Sequence, residues 1–348
     1  MKIQINSLTA TRVFAAIMVY IFHFGRDVFP FSLFRSLFNS ANIAVSYFYV
    51  LSGFVLYISY VESKFTYGNF IKKRLGRIAP AYVLALILYM VVYFFYYKME
   101  YSAEVGRQIL YSLFFIQAYF PAYALVLNTA AWSISVEMFF YLLFPVLLLV
   151  QKRNSRVFIA AAVLIYLLTQ IIFSLCFQGA DHVESFNFLV YNPVMHVNEF
   201  LIGMVGGYLF KRIKRTGKKY WLAPVAIFFV MLLLLALRPL NFYYDVGLIA
   251  PVFMAFILAT AYYNPAFLNV KALVILGEIS YGIYIFQFPV HELVQWLNVY
   301  MKLPFPVFFY FSLLALCLVA TLSYYFVERP VRDKINAITF RKRTITRL

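Results

Sequence analysis

Charge is scarce in this chain. Only 12% of its 348 residues are Asp, Glu, Lys or Arg, against about 25% in an ordinary soluble domain. Acid is scarcer still, with 13 acidic residues facing 30 basic ones and a formal net charge of +17. There are two cysteines, Cys176 and Cys317, each inside an apolar run. They supply neither a disulfide framework nor a metal framework, and they suit buried thiols. Evenly alternating ten-residue segments are missing, which excludes a membrane β-barrel. No signal-peptide cleavage site follows the first apolar run, which Arg12 interrupts, so that run reads as a retained transmembrane helix. Internal repeats and low-complexity tracts are absent as well.

What fills the chain is apolar: 64% of its residues are hydrophobic and 21% aromatic. Apolar runs of near-spanning length recur from end to end, which predicts an all-α polytopic membrane protein. About ten spans are expected, near 8–26, 41–60, 80–97, 131–151, 157–177, 193–211, 220–238, 243–263, 273–297 and 305–327. The stretch 106–121 is ambiguous and is expected to lie at the interface or dip in. With the N-terminus in the cytoplasm, only Arg26, Arg35, Lys98, Arg107, Arg238 and Lys302 of the 30 basic residues face out. That asymmetry supports an even span count with both termini cytoplasmic. It also accounts for the net charge through contact with an anionic leaflet, with no nucleic acid needed. Residues 1–334 read as one integral-membrane domain and 335–348 as a short basic cytoplasmic tail.

The first span carries two costly residues, Arg12 and His23. Eleven residues at about 100° each bring them onto one helix face, roughly 16 Å apart along the axis. Separately, Arg12 suits a snorkelling anchor and His23 a helix-packing hydrogen bond. Together, a cation at the inner mouth and a base at depth suit a long substrate with an anionic head and a reactive tail, such as an acyl-coenzyme A.

Other groups extend the pattern. Ser133, Glu137 and Tyr141 recur at i, i+4 and i+8 on the fourth span. A carboxylate in hydrocarbon is a functional candidate by default. Glu137 is expected to meet His23 at similar depth, near the outer side, and to orient it. Arg74 and Arg77 precede Pro80, which suits the first turn of the third span, and they anchor the helix or grip phosphates. His196 and Glu199 share a face of the sixth span, as acceptor ligands or as a helix-linking pair. Tyr281, Gln287 and His291 mark the ninth span. Ser52 and Gly53 suit close helix packing, and Glu328 and Arg329 suit the end of the last helix.

Several segments resemble acyltransferase family 3, a family of membrane acyltransferases. Arg12 with His23 resembles its Arg/Lys-x10-His motif. Similar segments follow in order: FYVLSGFVLY (48–57), FIKKRLGRIAPAY (70–82), WSISVEMFFYLLFP (132–145), LGEISYGIYIFQFPV (276–290) and FVERPVR (326–332). The family often has Arg at the position of His196 and commonly has His at that of Gln287, so this chain departs from it twice. The resemblance implies transfer of an acetyl group from cytoplasmic acetyl-CoA to a hydroxyl of a surface or exported glycan. His23 and Glu137 would be catalytic, and Arg12, Arg74 and Arg77 would bind the donor. Ser133, Tyr141, His196, Glu199, Tyr281, Gln287 and His291 would be substrate-binding candidates. No metal is implied. Partners would be a glycan or lipid-linked saccharide, membrane lipids and glycan-assembly machinery. The expected location is a bacterial cytoplasmic membrane, without the fused esterase-like domain of many relatives. The rival reading is a transporter or flippase for a glycan or lipid-linked sugar, since buried Arg, His and Glu also mark transport paths.

Overall fold

The computed structural model describes residues 5–98, 100–177, 182–213, 222–237 and 246–345. Its helices are α1 (Asn6–Phe24), α2 (Arg35–Phe38), α3 (Ala44–Tyr60), α4 (Tyr67–Phe95), α5 (Ala103–Leu113), α6 (Trp132–Arg153) and α7 (Ser155–Phe177). They continue with α8 (Val183–Tyr191), α9 (Val197–Arg212), α10 (Leu222–Leu237), α11 (Ala250–Tyr263), α12 (Lys271–Met301), α13 (Phe305–Ser323) and α14 (Arg329–Ile345). No strand occurs among the described residues. Among the described residues, seven helical segments are long and apolar enough to cross a membrane, and α10 and α11 contain shorter apolar helices. The protein is thus an all-α polytopic membrane protein. Seven of the ten expected spans coincide with those long helices, whereas the spans expected at 193–211, 220–238 and 243–263 meet the shorter helices α9, α10 and α11. The basic cluster Lys214, Arg215, Lys218 and Lys219, with Arg238, lies outside the described residues.

α7 is only 22% buried within its most apolar window. It exposes Leu164, Leu167, Leu168, Ile171 and Leu175. A water-soluble surface does not tolerate so large an apolar patch, whereas lipid does. Cys176 is exposed on this helix and Cys317 is half-buried, so the expectation of two buried thiols is corrected for Cys176.

Two close approaches organise the interior. α3 and α9 meet at Gly53 and Gly203. A Cβ on Gly203 would stand 2.0 Å from the Val50 carbonyl oxygen, and one on Gly53 2.2 Å from that of Phe200. Small residues permit this contact, which gives helices in lipid their attraction. Gly203→Ala is expected to destabilise the protein by about 1–3 kcal/mol, read as a lower unfolding temperature in detergent. α1 runs parallel to α12. A Cβ on Gly277 would lie 1.9 Å from the Thr9 carbonyl oxygen, and the Phe24 ring stacks on His291 at 3.7 Å. These two contacts provide a depth scale, in which Arg12 is level with about Ser280 and His23 with about Val290.

The segment between α5 and α6 departs from expectation. α5 has eleven residues, about 16 Å of helix, too short to cross. Three short 3-10 turns follow, Gln117–Tyr119, Pro121–Tyr123 and Thr129–Ala131; the first and third bury Gln117, Ala118, Ala130 and Ala131 inside the protein, whereas no residue of the second is buried. The Asn128 side-chain amide donates to the Ile285 carbonyl at 2.8 Å, and the Tyr284 hydroxyl donates to the Ala130 carbonyl at 3.2 Å. Gln117 donates to the Ala131 carbonyl at 3.0 Å and to the Tyr82 hydroxyl at 3.2 Å. Irregular backbone at membrane depth requires such internal partners. On the depth scale, Ala130 and Tyr284 lie opposite α1 near Ala16, about midway between Arg12 and His23. α6 therefore begins in the middle of the bundle.

α4 corrects a second expectation. It begins at Tyr67 under the Thr66 cap, whose side chain accepts from the Asn69 amide at 3.4 Å. Pro80 is thus an interior residue, more than three turns into the helix rather than at its start. α14 runs Arg329–Ile345, through the expected tail boundary at 334/335.

Candidate functional site

A cavity of about 790 Å³ opens between α1, α3, α4, α6, α12 and the chain after Ser323. Arg12, Arg74 and Arg77 all line it, together with Ser133, Glu137, Tyr141 and Tyr281. Of the expected site residues, these seven are brought together.

The arginines come from two helices. Arg74 and Arg77 lie one turn apart on α4. The Arg74 guanidinium donates to the Tyr60 hydroxyl at 3.3 Å and stands over the rings of Tyr60, Phe70 and Tyr141 at 5.7–5.9 Å. Arg12 projects from α1, within electrostatic reach of Arg77 and Glu137. Among the described residues, Arg12 and Arg77 form no ion pair or hydrogen bond. Two guanidinium groups that face a cavity without a close ion pair can meet a multiply charged anion; Glu137 and Glu328 line the same cavity within electrostatic reach of Arg12. Lys64, Lys73 and Arg332 add positive charge around the same opening.

Glu137 is beside Arg12 rather than His23. Because α6 starts at mid-depth, Glu137, five residues past Trp132, lies about 8 Å further towards the Arg12 end of α1. Its carboxylate accepts a hydrogen bond from the Tyr141 hydroxyl. The expected meeting of His23 and Glu137 near the outer side is thereby corrected. The error came from placing Trp132 at the membrane surface.

His23 is not in the cavity wall. Its half-buried ring packs edge-on to Phe288 at 4.8 Å and has no hydrogen-bond partner among the described residues. It stands about 10 Å beyond the level of Tyr284, at seven residues of helical rise. Along the α1 face between Arg12 and His23 lie Ala16 and Val19, both buried. The rings of Phe48 and Tyr284 meet edge-on at 6.1 Å at the cavity's deep end.

The remaining candidates lie outside the cavity. His196 and Glu199 form a buried pair, Nδ1 to carboxylate at 2.8 Å, with 1% and 0% side-chain exposure. His196 Nε2 also meets the Val190 carbonyl oxygen at 2.8 Å, and Glu199 accepts from the Ser46 hydroxyl. With every polar end occupied, the pair joins α3, α8 and α9, which matches the helix-linking alternative and not acceptor binding. Glu199→Ala is expected to cost about 1–3 kcal/mol by stranding two buried donors, measured by thermal unfolding. Gln287 is fully buried and donates to the Tyr284 carbonyl at 2.8 Å. His291 Nδ1 lies 3.2 Å from the Ser312 hydroxyl. Neither reaches the cavity.

Glu328 was missed. Its sequence context reads as a helix end, but the π-helical turn Tyr324–Glu328 swings it into the cavity wall, where it accepts from the Ser323 hydroxyl at 3.2 Å. π-turns recur at functional sites, yet nothing in the local sequence marks this one. Arg332 donates to the Tyr324 hydroxyl at 3.4 Å, which in turn donates to Glu278. No group of three or more potential metal ligands occurs among the described residues.

The acyltransferase domain family matches residues 5–326. The chain belongs to that family. This acyltransferase-family chain is similar to O-acetyltransferase OatA of Staphylococcus aureus strains NCTC 8325 and COL, at 25% identity over 94% of its own residues. It spans 57% of the length of those curated relatives. No solved structure matches it. The family match covers α1 to α13, and so His23 and the cavity-lining residues up to Tyr324.

Proposed function

We propose that the protein is an O-acetyltransferase of a bacterial cytoplasmic membrane, with both termini cytoplasmic, that moves acetyl from acetyl-CoA to a hydroxyl of a surface or exported glycan. The observation that carries this reading is the pair of guanidinium groups, Arg12 and Arg77, that face a cavity of about 790 Å³ and form no hydrogen bond or close ion pair among the described residues. The size is within the roughly 300–1,000 Å³ of small-ligand sites. Acetyl-CoA presents phosphates for Arg12, Arg74 and Arg77 and a slender arm that can lie along Ser52 and Ser280 in the same cavity wall. The family membership and the OatA relatives support acyl transfer.

In this reading the acceptor oxygen forms a bond to the acetyl carbonyl carbon while the carbon–sulfur bond breaks. His23 takes the hydroxyl proton, and coenzyme A leaves as thiolate and is then protonated. Alternatively His23 carries the acetyl group briefly, which lets donor and acceptor approach from opposite faces. Its place beyond the cavity, towards the outer side, suits either route. Glu137 balances the arginine charge at the donor level and holds Tyr141, rather than orienting His23.

The test is purified protein in liposomes with radiolabelled acetyl-CoA and candidate glycans. Acetylated glycan is the expected product. Glycan movement across the vesicle without acetylation would replace this reading with the transporter.

A further inference from the structure

The end of the bundle that carries His23 holds a second cluster of polar and aromatic groups, none of which lines the cavity. Phe288, Glu292 and Trp296 recur at i, i+4 and i+8 on α12 and share a face of that helix. Phe288 is the ring against which His23 packs. Glu292 accepts a hydrogen bond from the hydroxyl of Tyr97, just past the end of α4. Trp296 lies beside Tyr96, with 6.1 Å between ring centroids. On the depth scale set by α1 and α12, Glu292 is about 3 Å beyond the level of His23.

The polar ends in this row are open. Tyr97 engages one carboxylate oxygen of Glu292. The other has no hydrogen bond among the described residues and is not buried. The same holds for the Trp296 indole N–H and for both ring nitrogens of His23. Tyr and Trp at a membrane surface commonly serve as an interfacial belt alone. A belt gives no reason for a carboxylate inside a membrane-crossing helix, where charge is costly, one turn from the ring that touches His23. The negative charge also disfavours the phosphate of a lipid headgroup. An open carboxylate oxygen among aromatic rings is the chemistry that recognises a sugar: the rings cover its apolar face, and the oxygen accepts from its hydroxyls.

We infer that the surface formed by Phe288, Glu292, Trp296 and Tyr97 is the acceptor subsite and takes an uncharged sugar residue, with the free Glu292 oxygen accepting from one hydroxyl while a neighbouring hydroxyl meets His23. The assignment rests on the glycan-acceptor reading above and deepens it by naming where the sugar binds. No covalent bond is made or broken at Glu292; it binds and orients the sugar. Donor and acceptor then approach His23 from opposite ends of α1, the donor from the Arg12 end.

The experiment is steady-state kinetics of the full-length protein in liposomes, with acetyl-CoA and the glycan it acetylates varied in turn. Glu292→Ala should raise the KM for the glycan about 10- to 150-fold, the value of one hydrogen bond to a charged group. The KM for acetyl-CoA and the affinity for free CoA should stay unchanged. Tyr97→Phe cuts the same link between α4 and α12 but keeps the carboxylate, and it should move the glycan KM by no more than about threefold. If Glu292 only joined the two helices, both variants would lower the unfolding temperature alike and neither would separate the two KM values; that result overturns the assignment. An unchanged glycan KM in Glu292→Ala overturns it too, as does an acetylated sugar that carries a carboxylate or phosphate, and each leaves the acetyltransferase in place. A wild-type protein that acetylates no glycan overturns the acceptor reading and this assignment with it.

Discussion

His23→Ala should lower acetyl transfer by about 10²- to 10⁴-fold, the usual contribution of a general base, while the affinity for CoA stays at the wild-type value. The split between the two readouts follows from position. His23 packs on Phe288, outside the cavity wall, so its loss removes no group from the donor site. It is also a half-buried imidazole without a hydrogen-bond partner, so truncation strands no buried donor elsewhere. His23→Phe keeps the aromatic packing and should be equally inactive, which separates loss of the base from loss of the ring. Acetyl transfer within about twofold of wild type in both variants would remove His23 from the chemistry. A fall in CoA affinity would instead place the donor against His23.

Arg12→Ala should produce the reverse pattern. A hydrogen bond to a charged group contributes about 1.5–3 kcal/mol, so CoA affinity should fall by about 10- to 150-fold. The effect should persist with acetyl-CoA and with free CoA alike, because phosphates are common to both. Arg12→Lys keeps the charge without the planar fork and should recover only part of the loss. Arg26→Ala is the control. Arg26 is on the same chain segment but past the opposite end of α1 from Arg12, where it donates to the Asn39 side chain at 3.3 Å, and its removal should leave CoA binding unchanged. If Arg12→Ala binds CoA like wild type, Arg12 is a helix anchor and the phosphate grip belongs to Arg74 and Arg77.

The helical, membrane-spanning character was readable from composition because lipid leaves a chain few options. Backbone groups must be satisfied within each segment, so long apolar runs become helices. The shared face of Arg12 and His23 was readable for the same reason, since helical rise and twist are fixed. So was the i, i+4, i+8 row of Ser133, Glu137 and Tyr141, all three of which line the cavity. The depth of that row was not readable. It depends on the segment before α6, where Asn128 and Gln117 replace helix hydrogen bonds with contacts to α12 and α4. Sequence spacing records neither partner. His196 and Glu199 illustrate the same limit: three residues apart on one face, they looked equally able to bind a ligand or a helix, and only Ser46 and the Val190 carbonyl decided between these.

By itself the sequence determined the class of protein, its apolar helices and the chemistry available on each helix face. These depend on local geometry and on solvent, which act on every segment alone. The tertiary structure decided which faces share a cavity. It set Glu137 level with Arg12 and left His23 beyond Phe48 and Tyr284. It turned Glu328 inward through a π-turn. Those outcomes depend on where each helix starts relative to its neighbours, and that offset is fixed by contacts between residues more than a hundred positions apart, such as Asn128 with Ile285 and Thr9 with Gly277.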